Sequence, residues 1–191
     1  MPRRFSIRPT LTLRGRQFKG LRGFSGKPFH PPLTDFPVAA YVLAAVFDTV
    51  SYVAGPNDSV GRDFYVSASH VIIAGAVVSL LTATTGFWDW LRSTEPGTQA
   101  RRTANVHMAV MLTVTALVLV NIAIRLDQWH HPSVSGVVLA LSLLVGMLVA
   151  LGAAYGGTLV FDYGFNVETA GDSPVWHKSE TDVLPGSKAA T

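Results

Sequence analysis

The sequence predicts an all-α polytopic membrane protein, an antiparallel bundle of four transmembrane helices. Three observations carry that expectation. Hydrophobic residues make up 49% of the 191-residue chain against 14% charged, with a mean hydropathy of +0.34, a balance that leans away from soluble domains. The few charges are excluded from long runs: Phe64 to Leu91 holds only His70 and Asp89 besides Tyr65, Val106 to Ile124 only His107, and Val134 to Val160 none. Turn-forming clusters separate the runs at Gly55-Pro56-Asn57-Asp58, Glu95-Pro96-Gly97 and His131-Pro132-Ser133. Each run exceeds the ~20 apolar residues that a helix needs to cross a hydrocarbon core of ~30 Å.

Residues 1–29 carry eight Lys and Arg, from Arg3 to Lys27, and no acidic residue. They read as a flexible basic arm. No apolar stretch follows the arginines, so neither a cleavable secretory signal nor a twin-arginine export signal is expected. Anionic lipid headgroups are a sufficient partner for such an arm, and nucleic acid is not expected.

The membrane domain is expected over residues 30–167, with helices at about 36–55, 64–91, 103–125 and 134–160. Asp35 stands where an N-cap of the first helix would be, with Pro37 in the first turn. Tyr41, Asp48 and Tyr52 share one face of that helix by spacing. On the second, Gly75, Ser79, Thr82, Gly86 and Asp89 form a stripe of small and polar residues, and on the fourth Ser135, Ser142, Gly146, Ala153 and Gly156 do so. Small residues let helix backbones approach where lipid supplies no hydrophobic drive, so these stripes mark packing faces. The third helix aligns His107, Met111, Val114, Val118, Asn121 and Arg125 in steps of four and three, a line expected to face the bundle interior. Residues 168–191 are polar, with Gly171, Pro174, Pro185 and Gly186, and read as a loose tail.

With these spans, thirteen Lys and Arg fall on the side of the termini and only Arg62 and Arg125 on the other. The positive-inside rule then places both termini in the cytoplasm, in the plasma (cytoplasmic) membrane. Cysteine is absent, which excludes a disulfide framework, thiolate metal sites and a cysteine nucleophile. No Gly-x-Ser-x-Gly elbow, phosphate-binding glycine loop, His-Glu-x-x-His or Glu-x-x-His pattern occurs, so an autonomous enzyme is not expected.

Position within the spans sorts the polar residues into two layers. The inner layer, at the cytoplasmic edge, holds His30, Asp35, Asp89 and His107. Its two imidazoles and two carboxylates suit a metal ion with mixed nitrogen and oxygen ligands, haem b held by two histidines, or a quinone headgroup. The weaker outer layer holds Asp48, His70 and Asn121, and an Asp48–His70 pair would be structural glue, a proton relay or part of a second site. Plainer readings stand beside each: His30 in a His-Pro-Pro turn as an interfacial hydrogen-bonding residue, and Trp88 and Trp90 as part of the aromatic belt.

The order His30-Pro31-Pro32-Leu33-Thr34-Asp35-Phe36-Pro37, then Asp48, Gly86-Phe87-Trp88-Asp89-Trp90, His107 and Gly156-Gly157-Thr158-Leu159-Val160-Phe161-Asp162-Tyr163-Gly164 resembles an uncharacterised family of small four-helix membrane proteins. The resemblance covers about Gly23 to Val167. Its members are sometimes joined to Rieske iron–sulfur or other redox domains, which implies a place near membrane electron transfer. This chain, without cysteine, does not hold the family's fused redox cluster itself. The leading expectation is a redox-linked membrane subunit or anchor, in a membrane redox complex or as a homo-oligomer. The contrasting ones are a purely structural or assembly protein and, third, a small transporter using Asp48 and His70.

Overall fold

The structure, a computed structural model, describes residues 29–163. The expected tail, and all of the expected basic arm but Phe29, lie outside the described residues. Four helices follow in order, α1 (His30–Ala54), α2 (Ser59–Ser93), α3 (Gln99–Asp127) and α4 (Gly136–Phe161), and no strand occurs among the described residues. All four are long and apolar enough to cross a membrane. Helix α1 packs on α2 and α4, and α3 on α4 and α2, while α1 faces α3 and α2 faces α4 across the diagonals. This is the expected antiparallel up-down-up-down bundle.

The helix starts differ from expectation for local reasons. Helix α1 begins at His30 rather than residue 36, because Pro31 and Pro32 occupy its first turn, where a missing N–H breaks no intrahelical bond. Asp35 is therefore an exposed residue of the second turn, and the expected N-cap role is corrected: Phe29 holds that position. Pro37, inside the helix, deprives the Leu33 carbonyl of its usual partner, and Thr82 of α2 donates its hydroxyl to that oxygen at 3.3 Å. Helix α2 starts at Ser59, earlier than residue 64, with the Asp58 carboxylate accepting from Val60 N at 2.9 Å. Its polar first turn does not register in a count of apolar residues. Thr98 caps α3 by accepting from Arg101 N at 3.2 Å.

The interior is an apolar band of Tyr41, Ala44, Ile72, Val114, Val118, Val145 and Val149, drawn from all four helices. Glycines set the approach of α1 to α2: a Cβ at Gly75 would stand 2.8 Å from Ala40 Cβ, and one at Gly61 would overlap the Gly55 carbonyl oxygen. The α4 stripe is a partial correction. Its buried line is Val138, Ser142, Val145, Val149, Gly152 and Leu159, while Ala153 is exposed. Two neighbours explain the shift, since Gly146 faces Ala45 of α1 and Gly152 admits the Met111 side chain of α3. Outward-facing Leu80, Leu112, Val77 and Met147 supply the lipid-exposed surface.

Candidate functional site

Two polar layers lie at opposite ends of the apolar band. On α1 they are marked by His30 and Asp48, eighteen residues apart, or ~27 Å at the helical rise.

The layer near the termini is built on two histidines. His30 opens α1 and donates Nδ1–H to the Thr82 carbonyl of α2 at 2.9 Å, with Thr85 Oγ1 3.4 Å away. His107, two turns into α3, donates Nδ1–H to the Gly152 carbonyl of α4 at 2.8 Å. A carbonyl oxygen only accepts, so each hydrogen bond fixes the proton on Nδ1 and leaves the neutral imidazole with a lone pair on Nε2. Neither Nε2 makes a hydrogen bond among the described residues. Both rings are half-buried and lie within electrostatic reach of each other. Each rests on a glycine one turn beyond its carbonyl: a Cβ at Gly86 would stand 2.6 Å from His30 Cε1, and one at Gly156 3.3 Å from His107 Cε1.

Around this layer, Trp90 donates Nε1–H to Asn105 Oδ1 at 2.8 Å, and the Arg101 guanidinium lies 3.8 Å above the Trp90 ring. Arg92 covers Trp88 at 4.9 Å. Amphipathic groups of this kind suit the level of a headgroup interface.

The far layer is a network centred on one guanidinium. Arg125 of α3 pairs through Nη2 with Asp48 Oδ2 of α1, both fully buried. Arg125 Nε donates to Asn121 Oδ1 at 2.6 Å, Nη1 to Ser69 of α2 at 3.1 Å, and Nη2 to Ser142 of α4 at 3.2 Å. Asn121 also donates Nδ2–H to Ser142 Oγ at 2.9 Å and to the Val138 carbonyl at 3.3 Å. All four helices thus meet on one guanidinium, which satisfies a charge that would be costly alone in this environment. Above it, Ser51 Oγ donates to the Gly61 carbonyl at 2.6 Å and accepts from Val134 N at 3.0 Å, tying α1 to both loop-end segments.

A family model described as a predicted membrane protein (DUF2231) matches residues 26–169, which include all four helices. The chain belongs to this family. No curated protein and no solved structure matches it.

Within this DUF2231 bundle the expected site residues separate. His30 and His107 each anchor Nδ1 on a carbonyl of the following helix, Thr82 of α2 and Gly152 of α4. Asp89 is buried on α2 one turn beyond Gly86, whereas Asp35 is exposed and turned away. No group of three or more His, Asp or Glu able to hold a metal ion occurs among the described residues. The Asp48–His70 pairing is corrected. His70 is exposed, donates Nδ1–H to its own helix at the Val66 carbonyl at 2.8 Å, and meets the Trp129 ring edge-on at 5.5 Å. The partner of Asp48 is Arg125, already on the inward line of α3 but counted as a flanking charge of the far side. Tyr52, expected beside Asp48, is exposed.

Proposed function

We propose that this DUF2231 protein is a redox-linked membrane subunit or anchor that holds a redox cofactor at its His30–His107 layer, on the cytoplasmic side. The single observation that carries this reading is the matched pair of Nδ1 anchors, which directs two Nε2 lone pairs into one layer of the bundle. A histidine whose Nδ1–H is fixed by a carbonyl is the usual state of a metal-ligating imidazole. Such a pair suits a transition metal or a hydrogen-bond donor such as a quinol, and is less suited to a quinone carbonyl, which needs a donor. The resemblance to proteins joined to redox domains points the same way. Positive charge concentrated on the side of the termini supports a cytoplasmic placement of this layer.

Transport fits poorly, because the band of Val114, Val118, Val145 and Val149 separates the two polar layers. A scaffold or assembly role has one specific support, the far network, whose guanidinium is satisfied within the bundle. One preparation of the full chain in detergent distinguishes the readings. It is assayed for absorbance when oxidised and when dithionite-reduced, for metal content, and for quinone in an organic extract. Any of these cofactors at near-stoichiometric level, lost in His107→Ala, supports the redox reading. A folded protein free of all three leaves the scaffold.

A further inference from the structure

The two histidines are one instance of a relationship that runs through the whole bundle. His30 and His107 are 77 residues apart, and so are Asp48 and Arg125. The same shift carries the buried α1 residues Pro37, Tyr41 and Ala44 onto the buried α3 residues Val114, Val118 and Asn121. A shift of 70 carries the buried α2 residues Ala68, Ile72, Gly75, Thr82 and Asp89 onto Val138, Ser142, Val145, Gly152 and Leu159 of α4. It also carries Gly86, under His30, onto Gly156, under His107. The two shifts differ by seven residues, which is ~2 helical turns. The first hairpin is therefore longer at the far end while these buried positions keep their direction.

The α1–α2 and α3–α4 hairpins are thus two copies of one structural unit, both starting at the same end and related by a pseudo-two-fold axis along the bundle. This is the parallel kind of internal repeat, with its axis along the membrane normal. Each copy holds the same device: an imidazole on its first helix, a carbonyl on its second that fixes Nδ1–H, and a glycine one turn on that lets the ring lie flat. A ligand held between the two hairpins would then have one Nε2 available from each copy.

From this geometry we infer that the two hairpins clasp a single haem b, with His30 and His107 as its axial ligands, one from each repeat. The inference rests on the redox reading above and narrows it to one cofactor. A mononuclear non-haem metal would need further protein ligands, and no third His, Asp or Glu joins the two histidines in a metal-holding group among the described residues. Haem iron takes four ligands from its macrocycle and needs only two from the protein. Held there by His30 and His107, such a group would supply one-electron transfer chemistry. The chain's part is to fix both tautomers, to offer one Nε2 lone pair from each hairpin, and to shield the site with the valine band on one side.

The test is haem titration of full-length protein in detergent, followed by absorbance and by electron paramagnetic resonance of the oxidised sample. The expected result is one haem per chain, a low-spin ferric signal, and sharp α and β bands on reduction. His30→Gly and His107→Gly each lose the low-spin spectrum, and free imidazole restores it in both, which a merely unfolded variant would not allow. His70→Ala leaves the spectrum unchanged. Haem binding in which either glycine variant keeps the low-spin spectrum overturns the two-repeat assignment. Quinone or non-haem metal in the preparation, with no haem uptake, overturns the haem inference and leaves the redox reading standing. The absence of every cofactor sinks both.

Discussion

Arg125 and Asp48 occupy equivalent positions in the two hairpins yet carry opposite charges, and they meet across the diagonal of the bundle. Identical residues at these places would set like charges against each other at the axis. The opposite pair neutralises itself and recruits Asn121, Ser69 and Ser142 into one network. Removing one partner is therefore expected to be worse than removing both. Arg125→Ala should cost about 3–5 kcal/mol by leaving a buried carboxylate unpaired, while the Asp48→Leu/Arg125→Met double variant should recover most of the loss. Denaturant unfolding in detergent, followed by circular dichroism, measures both, and a double variant as unstable as Arg125→Ala would contradict the account.

The glycines under the histidines should differ in tolerance. A methyl at Gly86 meets the His30 ring at 2.6 Å and forces it to move, whereas one at Gly156 meets His107 at 3.3 Å. Gly86→Ala should thus break the Nδ1–Thr82 hydrogen bond, and Gly156→Ala should leave its counterpart nearly intact. Nitrogen chemical shifts of the two imidazoles report this directly: His30 should lose its single fixed tautomer in Gly86→Ala, and His107 should keep its own in Gly156→Ala.

Gly61→Ala places a methyl against the backbone oxygen of Gly55, which has no side chain to move aside. A cost of about 1–3 kcal/mol is expected for this overpacking. A loss well under that range in thermal unfolding would mean that the α1–α2 turn relaxes freely.

Ser51→Ala removes a hydroxyl that serves a buried carbonyl and a buried N–H at once. The expected loss is about 1–3 kcal/mol for groups left without partners, with faster amide exchange at Val134. Unchanged exchange there would show that another group takes over the N–H.

By contrast, Asp35→Ala and His70→Ala touch exposed side chains and should stay within about 0.5 kcal/mol of the parent protein. A large loss for either would reveal a contact outside the described residues.

Much of the fold is legible in the sequence because the bilayer imposes a simple rule, that backbone groups be satisfied within helices and charges be kept out of lipid. The four spans, their order and the inward line of α3 follow from that rule. Helix ends do not, since Ser59 to Asp63 of α2 and Pro31 and Pro32 of α1 are helical without being an apolar run. The site was legible in part. His30 and His107 are marked by depth, and Arg125 by its place on the α3 line, but depth alone does not reveal azimuth. His70 shares the level of Asp48 and points out of the bundle, while Arg125 reaches it from the opposite helix. The internal repeat escapes a reading for identical residues, because equivalent positions such as Tyr41 and Val118, or Ile72 and Ser142, share burial and not chemistry.

The valine-rich middle of the bundle has an electrical meaning. Its buried residues carry no ionisable group other than the Tyr41 phenol, so no mobile charge sits where a transmembrane voltage falls. That layer behaves as the dielectric of a capacitor, with the imidazoles at one plate and a self-neutralised ion pair at the other. A charge crossing the bundle would therefore have to pass a layer that offers it no ionic partner.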